Sequence, residues 1–116
     1  MSSDDFFLGY ASGAAERFWH GRKRDANHHE IASALRSHGA TVLTLDATRS
    51  KGHPDVLIGF RGFNILAEIK MPGANLLPQQ EEWHKEWKGK VYVIRTVEEA
   101  IALLKTYEEL ANARDR

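Results

Sequence analysis

Two short apolar runs with only two residues between them constrain this chain most. Asp55–Phe60 (DVLIGF) and Phe63–Lys70 (FNILAEIK) flank Arg61-Gly62. Alternating β-branched and aromatic residues favour strands, and a two-residue link ending in glycine favours a tight hairpin. With Arg61 and Gly62 as the loop, Phe60 faces Phe63, Ile58 faces Ile65, Val56 faces Ala67 and Asp55 faces Glu68. Opposed residues lie on one side of a sheet, and residues two apart along a strand share that side. One side then reads Val56, Ile58, Phe60, Phe63, Ile65, Ala67 and Ile69, an unbroken apolar surface that predicts core. The other side gathers Asp55, Glu68 and Lys70 at one end.

Two carboxylates about 5 Å apart across a strand pair repel unless something neutralises them. A divalent cation does so: Mg²⁺ takes oxygen ligands, commonly one or two carboxylates with water and a substrate phosphate. A neighbouring lysine can act on the attacking water or on charge building at phosphorus. That set suits phosphodiester hydrolysis. The competing reading is an exposed cluster in which Lys70 merely bridges two acids.

The remaining segments give an order of elements. Ile31, Ala34, Leu35 and His38 have helical spacing, with Gly39 placed to end the helix. Residues 40–46 (ATVLTLD) predict a strand, and 48–53 a polar, basic loop. Residues 71–77 form a loop, Pro78 opens a helix with Trp83 and Trp87 one turn apart, and Gly89 closes it. Their spacing favours a place for both tryptophans in the core over a base-stacking platform. Residues 90–94 (KVYVI) predict a strand. Thr96 and Glu99 form a capping box ahead of a helix whose face carries Val97, Ala100, Ile101, Leu104, Tyr107, Leu110 and Ala111. The order is α-β-β-β-α-β-α, an α/β fold with a mixed sheet flanked by helices. Residues 1–24, with three glycines among five aromatics, predict an appendage, possible as a helix; 25–116 form the single domain.

Composition removes several classes of function. The 116 residues contain no cysteine, which excludes disulfides, zinc ribbons and a thiol nucleophile. His28-His29 are adjacent and no H-x₃-H or H-E-x-x-H pattern occurs, which argues against a histidine zinc site. No apolar run approaches a membrane span, and no signal peptide opens the chain, so the expectation is a cytoplasmic protein with no membrane partner. Sixteen bases balance sixteen acids overall, yet residues 17–53 carry seven bases against three acids, and the last 21 residues are acidic.

The motifs around the hairpin resemble a known family. Pro54-Asp55 followed by Glu68-Ile69-Lys70 is similar to the PD-(D/E)XK nuclease signature. Gly52-His53-Pro54-Asp55, then Lys70-Met71-Pro72-Gly73, Leu76-Leu77-Pro78-Gln79-Gln80, Trp83 and Val93-Ile94-Arg95, resemble the VRR-NUC branch over about residues 27–105. The chain departs from that branch at Met71, Ala74, Asn75, Leu77 and Ile94, none of them a metal-binding position.

The resemblance implies a restriction-endonuclease-like core and a small, stand-alone, phage-type enzyme. It implies a Mg²⁺- or Mn²⁺-dependent DNA endonuclease that selects branched, Holliday-junction-like DNA. Two symmetric cuts at a junction suit a C₂ homodimer, with the N-terminal appendage and acidic tail as candidate interfaces. Asp55 and Glu68 would hold the metal with the Ile69 carbonyl, Lys70 would be the catalytic base or charge stabiliser, and Gln80 would steady the lysine or the water. Glu30 would add a helix-borne metal ligand. It also fits the third helical position of a capping box begun by Asn27. Asp46 is an alternative ligand. Arg49, Lys51 and His53 would contact the DNA backbone. A second reading keeps the fold and DNA binding without catalysis.

Overall fold

The computed structural model describes residues 25–45 and 52–116. The appendage expected over 1–24, together with Asp46, Arg49 and Lys51, lies outside these residues. The elements are α1 (His28–Ser37), β1 (Thr41–Thr44), β2 (Val56–Phe60), β3 (Phe63–Ile69), α2 (Pro78–Glu86), β4 (Val91–Ile94) and α3 (Val97–Arg114). The four strands form one sheet in the order β1-β2-β3-β4. β1, β2 and β3 are antiparallel neighbours, and β4 runs parallel to β3. A parallel neighbour requires a crossover, which the segment containing α2 supplies.

The β2–β3 register is the one the sequence predicts: Val56 pairs with Ala67, Ile58 with Ile65 and Phe60 with Phe63. Arg61 (φ 51°) and Gly62 (φ 88°) both adopt positive φ. Two consecutive positive φ values give the turn whose twist matches a two-residue hairpin. Arg61 is an uncommon residue in that conformation, and α3 holds it there. Its guanidinium lies 3.2 Å from Glu108 and 3.4 Å from Asp115, and Arg114 donates to its carbonyl at 2.9 Å. The acidic tail, a candidate dimer interface in the sequence, thus directs Glu108 and Asp115 onto the hairpin of its own chain.

The predicted apolar side is the core. Val56, Ile58, Ile65, Ala67 and Ile69 are at most 1% exposed. Ile31, Ala32 and Leu35 of α1, and Ala100, Leu104, Tyr107 and Ala111 of α3, are buried with them. Each fully buried Ile or Leu stabilises the fold by about 1.5–3 kcal/mol relative to exposure. At the start of α3 the Thr96 hydroxyl accepts the Glu99 N–H at 3.0 Å. The Glu99 carboxylate reaches back to the N–H of Arg95, one residue before the expected Thr96.

The two tryptophans among the described residues are not core. Trp83 and Trp87 stack on each other with ring centroids 4.8 Å apart, and Trp87 is exposed. The reason lies in α2, whose sequence PQQEEWHKE buries only Gln80. A helix this polar has no apolar stripe to seat both rings on the sheet, so the rings cover each other.

Tyr107 supplies a test of the core. Its hydroxyl lies 2.9 Å from that of Tyr92. Burial, then the hydrogen bond and charge of Tyr92, push the Tyr107 phenol from 10.0 up to about 12. A phenol that keeps its proton longer when folded makes stability fall as pH rises from the unfolded to the folded value. Unfolding free energy should therefore drop between pH 10 and about 12, and less so in Tyr107→Phe. Urea titrations across that window measure the difference; equal slopes would refute it.

Candidate active site

The strand ends bring the expected charges together and bury them. Asp55, immediately before β2, is 7% exposed; Glu68, near the end of β3, is 1%; and Lys70, one residue beyond it, is 8%. The reading of an exposed cluster fails on these values. None of the ion pairs among the described residues includes Lys70, so it does not bridge the acids. Buried charges are costly unless paired, hydrogen-bonded or bound to a cation.

Asp55 and Lys70 are anchored by backbone contacts. Asp55 Oδ1 accepts the N–H of Ile69 at 3.1 Å, so its side chain stands where a ladder partner would be. Its carbonyl accepts the N–H of Leu45 at 2.9 Å, which extends the β1–β2 pairing to the site. The N–H of Lys70 donates to the Ile94 carbonyl at 3.0 Å. Arg95 donates to the Ala74 carbonyl at 2.9 Å and pins the loop between Lys70 and α2.

Gln80 acts on Glu68. Leu77 precedes α2 and has no side-chain acceptor with which to cap it. Gln80 Oε1 instead reaches back to accept the Leu77 N–H at 2.8 Å. That contact aims the amide nitrogen at Glu68, where Nε2 donates to Oε2 at 2.9 Å. Gln80 therefore steadies a carboxylate, where the sequence suggested the lysine or the water. Gly52 (φ 88°) lies so close to this helix start that a Cβ there would collide with the Gln79 carbonyl. Only glycine lets the segment leading to Pro54-Asp55 pass this close to the start of α2.

The start of α1 departs from expectation. Asn27 makes no side-chain cap. Its amide donates to the Lys70 carbonyl at 3.1 Å and the Arg95 carbonyl at 2.8 Å, while Asp25 accepts the Met71 N–H at 3.1 Å. These two side chains hold the Lys70–Met71 peptide unit, one through its carbonyl and the other through its N–H. Glu30 is exposed, whereas His28 is buried with Nδ1 3.7 Å from Asp55 Oδ2. Two residues along a helix turn through about 200°. With His28 turned to Asp55, Glu30 falls on nearly the opposite side of α1. The signal for His28 was present in the sequence: it continues the stripe of Ile31, Ala32 and Leu35 by one turn.

His53 is half-buried and its Nδ1 lies 2.7 Å from the Pro54 carbonyl. Among the described residues no three His, Asp or Glu side chains converge on one point: Asp55 and His28 sit together, while Glu68 turns to Gln80. The donors nevertheless fit a divalent cation. Two buried carboxylates share one end of the sheet, and carboxylate oxygens are the donors that Mg²⁺ and Mn²⁺ prefer.

The clamp predicts an ordering of variants. Asn27→Ala should destabilise the fold by about 1–3 kcal/mol, since two inward-facing carbonyls lose their donor. Asn27→Asp should cost at least as much, because a carboxylate cannot donate to them. If Asn27 served only as a helix cap, aspartate would substitute freely. Urea denaturation of both variants separates the two roles.

No family model matches the sequence, and no curated protein does. A solved structure described as a VRR-NUC domain is similar in fold, with a TM-score of 0.57 and 21% sequence identity. The similarity covers 68% of this chain and 90% of that one. The four-stranded mixed sheet with its flanking helices, and the hairpin that brings Asp55, Glu68 and Lys70 together, are thus set in a VRR-NUC fold.

Proposed function

We propose that this protein is a metal-dependent DNA endonuclease that hydrolyses phosphodiester bonds and selects branched DNA by shape. One observation carries the reading: Asp55, Glu68 and Lys70 are buried together at the end of an otherwise apolar hairpin. That arrangement is costly as structure and apt as chemistry. A Mg²⁺ or Mn²⁺ ion there would offset the carboxylate repulsion, stabilise charge on a phosphate and acidify a bound water. Asp55, Glu68 and the Ile69 carbonyl would hold it, and Gln80 keeps Glu68 in place. Lys70 cannot ligate a cation, so its ammonium would act on the water or the phosphate. Glu30, exposed and turned away, has no part in this set.

Arg49, Lys51 and His53 precede Asp55 in the chain and would contact the DNA backbone, which positions without reading sequence. Among the described residues no helix is long and apolar enough to cross a membrane. A C₂ homodimer would present two such sites to a junction's two symmetric cuts.

Incubation with plasmid and with a four-way junction, with and without Mn²⁺, tests the reading. Metal-dependent cutting of the junction ahead of the plasmid is expected. Binding without cutting would identify an idle DNA-binding protein, and the absence of both binding and cutting would refute a nucleic-acid role. Asp55→Asn should abolish cleavage, since the metal's stabilisation is worth several kcal/mol. Lys70→Ala should slow single-turnover cleavage roughly 10²–10⁴-fold, with metal binding by calorimetry near normal. Survival of cleavage within about threefold in Lys70→Ala, a small change in barrier, would remove the lysine from the mechanism.

A further inference from the structure

We propose that His28 is a nitrogen ligand to the cation at Asp55, and that it biases the site towards Mn²⁺ over Mg²⁺. The inference rests on the metal-dependent reading above and adds a residue and an ion preference to it. His28 is 5% exposed, and neither ring nitrogen has a hydrogen-bond partner. A buried polar group without a partner calls for an explanation. The imidazole is not idle filler on the α1 stripe, because its Nδ1 faces Asp55 Oδ2 at 3.7 Å. That separation is too long for a hydrogen bond. It is the spacing of two donors around one ion: with each roughly 2.1 Å from the metal, neighbouring donors stand about 3 to 4 Å apart.

The two oxygens of Asp55 divide the work. Oδ1 accepts the Ile69 N–H, which orients the carboxylate, and Oδ2 is the oxygen beside His28. The ring is held in turn by helix geometry, since His28, Ile31, Ala32 and Leu35 form the buried face of α1. A nitrogen donor changes the metal preference. Mg²⁺ favours oxygen and surrenders its waters reluctantly, whereas first-row transition ions accept imidazole.

Pulsed EPR on the Mn²⁺-loaded protein reads the contact directly. The wild type should show coupling from an imidazole nitrogen, and His28→Gln should lose it while His29→Gln keeps it. Calorimetry should show Mn²⁺ affinity falling at least about tenfold in His28→Gln, the low end for losing a side chain that supports a metal, with Mg²⁺ affinity changed much less. Should His28→Gln fail to fold, ¹⁵N NMR of the wild type with diamagnetic Cd²⁺ gives the same answer, and an unmoved His28 Nδ1 resonance overturns the proposal. Mn²⁺ bound in an Asp55-dependent way without nitrogen coupling overturns the role of His28 and leaves the metal site standing. No Mn²⁺ binding, or binding indifferent to Asp55→Asn, overturns both.

Discussion

The hydrogen bond from the Ile69 N–H to Asp55 Oδ1 joins the fold to its site. It forms where the hairpin ladder runs out, so a side chain replaces a backbone partner and a carboxylate is fixed at the sheet end. Everything nearby completes that arrangement. Gly52 lets its segment pass close against the start of α2, α2 delivers Gln80, and Gln80 holds Glu68. Asn27 and Asp25 hold the peptide unit that follows Lys70. The core beneath is ordinary apolar packing, and its stability permits three charged groups to stay buried at one edge.

The strong local patterns were legible. The alternation in Val56–Phe60 and Phe63–Ile69, and the two-residue turn between them, set the register, and the register placed Asp55 opposite Glu68. Pro78 marked the start of α2, and Thr96 that of α3. These signals are local: each depends on residues within a few positions, so one sequence suffices to read them.

What was not legible depends on where side chains go once elements pack. Asn27 looked like a helix cap because Asn favours that position, yet its amide reaches residues 43 and 68 positions away. Glu30 looked like a ligand by analogy, but the apolar stripe of α1 turns His28 to the site instead. Trp83 and Trp87 had core spacing on a helix too polar to be drawn onto the sheet. In each case residue preference lost to tertiary geometry. Gln80 was found, but with Glu68 as its partner, because the uncapped Leu77 N–H orients its amide.

The central claim is that the buried Asp55–Glu68 edge is a cation site and not a structural cluster of charges. Diffraction from crystals grown with Mn²⁺, collected at the manganese absorption edge, tests this most directly. The account predicts one strong anomalous peak within ligating distance of Asp55 Oδ2, with Glu68 and the Ile69 carbonyl around it. An absent peak at saturating Mn²⁺, with the Lys70 ammonium bridging the two carboxylates in its place, would contradict it.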